Sequence, residues 1–425
     1  MKVTLIGIGM DGERTLTREA AEAIGRAQLL IGAKRMLAPF AALQKRREAC
    51  HVTAQIAEML QAEAAAGTSE AAVLFSGDTG FFSGAKGLLS ALDETDGIEM
   101  QVLPGISSLA GFCARCGLSY ENMKIVSLHG RDASIAVHVL QNERTFFLLG
   151  GDVDAASLCR TLCRYHLPSA MVHVGENLGM ENERITHGTA EALTELSAEN
   201  LSVAIVEHPS PMTCVPAGIP DAAFERIQGT QAAGIRTIPM TKAEVRAVSV
   251  GKLEIRRDDV CWDIGCGTGS VSVEMALHCP DGAVYAYDKN SDAVSLTQRN
   301  AERFSCDNIR SFRCDFPPQV PVNSRAEAGE DMDVVPVPAP DCVFIGGAGG
   351  KIGEVVDLAL FLNPQARIVV TAVTLETLEA ARAALTDAFG SCEIVQLAVC
   401  RAEPVGGLSM MKAQNPVYIL KGERP

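Results

Sequence analysis

The residues best suited to chemistry lie in glycine-rich stretches in both halves of the chain. In VCWDIGCGTGSVSVEMAL a hydrophobic run ends at Asp263, and Gly265, Cys266, Gly267, Thr268 and Gly269 follow before a helical pattern begins. Glycines at such a turn let the backbone approach a ligand closely, and the N-terminus of the next helix favours the ligand's carboxylate. Asp288, which closes the next strand-like run AVYAYD, is placed to accept both hydroxyls of a ribose. Asp315, closing IRSFRCD, is placed to meet an adenine amino group. An acid ahead of D-x-G-x-G-x-G glycines, with acids closing the next two strands, points to S-adenosylmethionine. An ordinary strand-to-helix turn and a nicotinamide dinucleotide site are the alternatives, but the dinucleotide register lacks its last glycine, because position 270 is Ser270.

Two flanking segments offer substrate contacts. PMTKAEVRAVSVGKL places Lys242, Arg246 and Lys252 near one another on a helix, where a solvated basic face is the competing reading. DCVFIGGAGGK carries Gly346, Gly347, Gly349 and Gly350 and ends in Lys351, beside the crevice where ligands sit in a doubly wound sheet. The first half contains Gly7-x-Gly9-x-x-Gly12 after a strand, yet the following LLIGAKRML supplies Lys34 and Arg35 where a dinucleotide site needs an acid. More informative are LFSGDTGFFSGAKGL, with Ser76, Gly77 and Asp78, and VLPGISSLAG, with Pro104, Gly105 and Ser107. Either alone is compatible with a helix cap and its turn.

These loops need strands to hold them. KVTLIGI, AAVLFSG, EMQVLPG, KIVSLHG, TFFLLGG, AMVHVGE and LSVAIVE alternate with Ala/Leu-rich helical stretches, the pattern of an α/β fold. Beyond Pro209 the pattern decays, so the chain divides into 1–208, a connector over 209–238, and 239–425. In the last part VCWDIG, AVYAYD, IRSFRCD, DCVFIGG, ARIVVTAV, EIVQLAV and NPVYILK predict a seven-stranded, doubly wound domain. The Pro- and acid-rich stretch from Pro317 to Pro340 reads as a surface loop without a core. With 425 residues, 47% hydrophobic, two or three separate cores are expected. A net charge of −15 opposes general affinity for nucleic acid or anionic lipid. The 14 cysteines are scattered without framework spacing, and no apolar run suits a membrane span, so a reduced, cytoplasmic protein is expected. The C-x-x-C of Cys113 and Cys116 lacks the second ligand pair that zinc requires.

Taken together, GIGMDGERTLT, SGDTGFFSGAKGL, LPGISSL, ENLG with ERITHGT, and LSVAIVE resemble the tetrapyrrole methylase family, in particular its members that methylate carbon 5 of a precorrin. The second half, through PMTKAEVRAVSVGKL, WDIGCGTGSVSVE, VFIGGAGGK and NPVYILKG, resembles the decarboxylating precorrin carbon-15 methyltransferases. The resemblance implies a tetrapyrrole-methylase α/β domain followed by a Rossmann-like class I methyltransferase domain, with one S-adenosylmethionine bound by each. It implies cofactor contacts at Gly77, Asp78, Ser107 and Leu149 in the first domain, and at Thr241, Gly265 to Gly269, Asp288 and Asp315 in the second. It raises Lys242, Arg246 and Lys351, with the glycines from Gly346 to Gly350, to substrate contacts for a tetrapyrrole rich in carboxylates. The implied reaction is methylation at carbons 5 and 15 with loss of the carbon-12 acetate carboxyl, and methyl transfer needs no dedicated base. SGDTGFFSGAKGL is closer to the cobalt-containing branch, with the metal-free precorrin of the oxygen-dependent branch as the alternative. An oxidoreductase using NAD(P), fused to a binding module, is the alternative of another class. A homo-oligomer without nucleic-acid or membrane partners is expected.

Overall fold

A computed structural model describes all residues except 13, 94, 131–132, 199–200, 228–236, 319–334 and 425. It forms two compact units, 1–130 with 144–157 and 171–207, and 131–143 with 158–170 and 208–425. No helix of the described residues is long and apolar enough to cross a membrane.

The first unit is built from two five-stranded sheets. Strands β1 (Lys2–Gly7), β2 (Leu29–Gly32), β3 (Arg46–Ala49), β4 (Glu70–Phe75) and β5 (Glu99–Leu103) form a parallel sheet in the order β3-β2-β4-β1-β5. The interior strand β1 is buried from Val3 to Gly7, which accounts for its nearly continuous apolar sequence. The second sheet contains β6 (Lys124–Ser127), β7 (Arg144–Leu148), β8 (Met171–Glu176), β9 (Arg184–Thr189) and β10 (Ser202–Glu207) in the order β6-β7-β10-β8-β9. Only β6 and β7 run parallel there. The helix Ser108–Cys116 packs Leu109 and Phe112 against Phe146, Val203 and Ile205 of this sheet. The short strand β3 and the half-exposed β9 escape the apolar pattern that identifies the others, because few of their residues are buried.

In the second unit β11 (Val260–Ile264), β12 (Ala283–Asp288), β13 (Ile309–Arg313), β14 (Cys342–Ile345), β15 (Arg367–Ala372), β16 (Glu393–Leu397) and β19 (Val417–Gly422) form one sheet. Its order is β13-β12-β11-β14-β15-β19-β16, with β19 antiparallel to both neighbours. The seven strands coincide with the seven runs expected from the sequence. A hairpin of β17 (Cys400–Val405) and β18 (Leu408–Ala413), almost wholly exposed, was not expected.

Two expectations about connecting segments change. The stretch 209–238 is not a loose connector over its described part, because Ile219 and Phe224 are buried in the second unit's core. Gly218 and Ile219 donate their backbone N–H groups to the carboxylate of Glu274, at 3.0 and 2.8 Å. Of Pro317 to Pro340, residues 319–334 lie outside the described residues. The described end is anchored: Val337 is buried, Tyr287 donates to the Pro336 carbonyl and Trp262 Nε1 to the Pro338 carbonyl.

Candidate functional site

The second unit's crevice opens where the strand order reverses, between β11 and β14. Both strands continue from this point into glycine. Gly346 and Gly347 donate their N–H groups to the carbonyl of Ile264, at 2.9 and 3.2 Å, tying the two strand ends together. Gly265 has φ +75°, and a Cβ there would lie 2.4 Å from the Gly347 carbonyl oxygen, so only glycine allows this approach. The loop then turns into the helix Ser270–His278, capped by Gly269. Asp288, at the tip of β12, accepts from the Gly267 N–H at 3.1 Å and from the Asn290 N–H at 2.9 Å, and each of its oxygens keeps a lone pair for a ligand hydroxyl. This cradle suits S-adenosylmethionine: a close backbone floor, a helix N-terminus for its carboxylate and a fixed acid for its ribose.

Beneath the loop Asp263 is fully buried. One oxygen accepts from Ser272 Oγ at 2.5 Å, and the other lacks a partner. Burial, aided by the nearby charge of Asp288, pushes its pKa up to about 7. Cys266 is buried beside Thr297 Oγ1 at 3.3 Å, and desolvation pushes its thiol well above the ordinary range, so it is an inert thiol. Thr268 is buried, and its carbonyl accepts from Asn300.

Next to this cradle is a cavity of about 750 Å³ lined by Thr241, Lys242, the glycines from Gly346 to Gly350, Thr371, Glu376, Thr377, Gln414 and Asn415, among apolar groups. Of the three basic residues expected here, only Lys242 lines it, its ammonium 3.8 Å from Asp221. Arg246 is withdrawn from the substrate set. Its guanidinium is fully buried, donates to Glu274 at 2.5 Å, to the Thr241 carbonyl at 2.5 Å and to the Ile219 carbonyl, and lies over the Phe224 ring. One helical turn past Lys242 the side chain points into the core, and leaving it unpaired there would be costly. Lys252 turns away to Glu393 at 2.7 Å. Lys351 donates to Asp315 at 2.8 Å, so two residues expected to meet different ligands meet each other. That hydrogen bond holds the Asp315 carboxyl below its usual range and the Lys351 ammonium above its own. The sequence reading missed Asp263's titration and the cavity wall from Thr371, Glu376, Thr377, Gln414 and Asn415. Thr371 and Asn415 lie in runs that read only as strands, and Glu376, Thr377 and Gln414 lie outside every motif, so spacing carried no site signal for any of them.

In the first unit three strand ends cross at glycine. A Cβ on Gly105 would sit 2.2 Å from the Gly77 carbonyl oxygen and 2.5 Å from that of Gly7. Gly9 and Gly77 exchange backbone hydrogen bonds, at 3.0 and 2.7 Å. Asp78 braces the crossing, accepting from Gly105 N–H at 2.9 Å and Gly80 N–H at 2.8 Å. Ser107 caps the helix Ser108–Cys116 by accepting from the Ala110 N–H, and Leu149 is buried at the end of β7. The side chains of Asp78 and Ser107 therefore hold the floor, and the backbone around Gly77 is what a cofactor could approach closely. Gly12 does not open a helix as a dinucleotide fingerprint would, since the first helix starts only at Arg18, capped by Thr17. Instead Asp11 accepts from Thr15 and from Arg14, and Arg14 reaches the Gly179 carbonyl. A cavity of about 660 Å³ is lined by this loop with Arg35, Met36, Ser76 and Met180. Cys113 is buried, its thiol pushed up to about 11 by desolvation first and then by Cys116, and no metal-binding group of His, Cys, Asp or Glu occurs among the described residues.

Residues 2–194 match the family of tetrapyrrole (corrin/porphyrin) methylases, and 236–424 match the precorrin methyltransferase domain. A Sinorhizobium protein named precorrin-6Y C(5,15)-methyltransferase [decarboxylating] is 28% identical over 422 residues, covering 98% of this chain and 94% of its own. A Pyrobaculum calidifontis protein is 40% identical over 205 residues, 48% of this chain and 94% of its own. Its name, given as probable, is cobalt-precorrin-6B C(15)-methyltransferase (decarboxylating). A crystal structure of precorrin-6y C5,15-methyltransferase from Geobacter metallireducens is 32% identical, covers 49% of this chain and 97% of its own, and aligns with TM-score 0.40.

Proposed function

Since the chain belongs to the tetrapyrrole methylases through its first half and to the precorrin methyltransferases through its second, we propose that it methylates carbons 5 and 15 of one precorrin and removes its carbon-12 acetate carboxyl. It is an S-adenosylmethionine-dependent C-methyltransferase of the decarboxylating kind. The first unit serves carbon 5. The second serves carbon 15 and the decarboxylation, and each unit takes its own cofactor. The observation that carries this reading is the presence of two separately built glycine crevices, one in each unit, in a chain matched nearly end to end by a relative named for both methylations.

When bound, S-adenosylmethionine supplies an electrophilic methyl group. The residues of the chain align and desolvate. Gly265 and Gly267 would let the backbone approach the cofactor and Asp288 would hold its ribose, while the cavity beside Lys242 would seat the macrocycle edge and exclude water from it. Lys242 pairs with a substrate carboxylate. In the first unit Arg14 and Arg35 line the cavity and take the corresponding role. A cobalt-bearing substrate is favoured by the SGDTGFFSGAKGL stretch. The exposed hairpin, with Leu408, Met410 and Met411 in solvent, supports self-association, which light scattering on the eluting peak checks. No disulfide is formed among the described residues, which suits a reducing cytoplasm.

The test is product mass from the full chain with cofactor and either cobalt-loaded or metal-free precorrin. Two methyl gains with one carbon dioxide loss are expected, faster with cobalt. Turnover of the metal-free substrate alone would reverse the cobalt assignment, and turnover of neither would sink the reading.

A further inference from the structure

The helix Ala243–Leu253 begins without a side-chain cap of its own, because its cap position holds Lys242, whose ammonium can only donate. Asp221 supplies the missing acceptor from elsewhere in the chain. Flanked by the buried Ile219 and Phe224, it accepts from the Ala243 N–H through Oδ1 at 3.0 Å. The cap therefore sets a carboxylate beside the lysine that is needed for a substrate carboxylate. Left to itself, Asp221 would compete with the substrate for that ammonium.

Arg401 stands in the way of that competition. It lies in β17 near the base of the exposed hairpin, where Val399 and Gln414 close the same cavity. The hairpin's other charges pair across its own strands, Lys412 with Glu403 at 3.1 Å. Arg401 instead reaches out of the hairpin. Its Nε and Nη2 donate to the two oxygens of Glu244 at 3.0 and 2.5 Å, a fork that aims Nη1 at Asp221 Oδ2, 3.2 Å away. Lys242 Nζ lies 3.8 Å from that same oxygen, within reach of its charge but beyond hydrogen-bond distance. Arg246, 3.6 Å from Oδ1, is already held by Glu274. Among the described residues the Lys242 ammonium donates no hydrogen bond, so its donors are kept for a ligand.

Resting on the function proposed above, we infer that Arg401 is a positioning residue for substrate binding: by occupying Asp221 it leaves Lys242 free to pair with a substrate carboxylate. Asp221 then serves the helix as its cap without taking the helix's first cation. The hairpin base thus contributes to the site twice, as a wall and as the source of the guanidinium that keeps the anchor available.

The experiment measures KM and kcat for carbon dioxide release, using the full chain, saturating S-adenosylmethionine and cobalt-precorrin substrate. Arg401→Gln should let Lys242 close onto Asp221 and raise KM about twofold to fivefold, with kcat and cofactor affinity at wild-type values. Adding Asp221→Asn keeps an oxygen for the cap, removes the competing charge and should bring KM back. Arg401→Lys should recover part of the loss. The decisive comparison is made in a Lys242→Gln chain, where Arg401→Gln should change KM no further. An equal rise in both backgrounds, an unchanged KM in Arg401→Gln, or a fall in kcat alone would overturn the inference. Should Arg401→Gln fail to fold, Arg401→Lys with and without Lys242→Gln completes the same cycle. A wild-type chain that releases no carbon dioxide would instead refute the function on which the inference rests, and that is visible before any variant is compared.

Discussion

The two crevices solve one problem by different means. In the first unit three strand ends cross at Gly7, Gly77 and Gly105, and Asp78 braces them from within the loop. In the second, two strand ends meet at Gly265 and Gly347, and the brace comes from Asp288 on the neighbouring strand. The acids nearby also differ. Asp11 of the first unit is pulled below its ordinary pKa: burial acts upward, but hydrogen bonds from Thr15 and Arg14 outweigh it. Asp263 of the second has only Ser272 to set against burial and moves up to about 7. The first cavity carries Arg14 and Arg35, while Lys242 is the one cation on the second cavity's wall among the described residues. A site can thus receive an anionic ligand with little charge of its own when backbone and helix termini do the holding.

The sharpest way to break this comparison is at Arg246. Arg246→Ala leaves Glu274 buried without its cation and should cost about 3–5 kcal/mol in denaturant unfolding. A raised substrate KM with unaltered unfolding would return Arg246 to the binding surface. Next comes pH. Because Asp263's folded pKa lies above the unfolded value of 3.8, the stability it confers is complete below that value and is lost as pH rises through about 7. Asp263→Asn should remove a contribution on the order of 4 kcal/mol to that slope. Asp11 has the opposite sign: its stabilisation is present above its unfolded pKa and disappears as acid is added, so Asp11→Asn should weaken the chain at neutral pH and match the wild type in acid.

Smaller effects belong to the floors themselves. Asp288→Ala should cost about 1.5–3 kcal/mol in cofactor affinity at one of two calorimetric sites, roughly tenfold to 150-fold. Gly265→Ala and Gly105→Ala should each reduce the number of cofactor sites from two to one, at about 1–3 kcal/mol of overpacking. Loss of both sites from one substitution would show that the crevices are not independent. The exposed Lys351 and Asp315 pair marks the lower end: Lys351→Ala should barely alter the melting temperature, and a large shift would mean that the pair does more than meet at the surface.

The sequence alone determined the α/β class, the seven strands of the second unit, both glycine crevices and the chemistry to expect in them. Those features depend on local rules: apolar periodicity marks buried strands, and glycine marks backbone that must turn or approach closely. Tertiary structure decided which side chains are free to act. Lys242 and Arg246 look alike in PMTKAEVRAVSVGKL, yet one lines a cavity and the other is spent on Glu274 inside the core. Asp315 and Lys351 are 36 residues apart and follow β13 and β14, which are not neighbours in the sheet, and only the folding of the loops beyond those strands brings them together. Glu376 belongs to no motif, and it joins Asn415, the first residue of NPVYILKG, on the wall of one cavity through the pairing of β15 with β19. Spacing along a chain fixes which face of a helix or strand a residue occupies, but a charge is available for chemistry only if the fold has not already given it a partner.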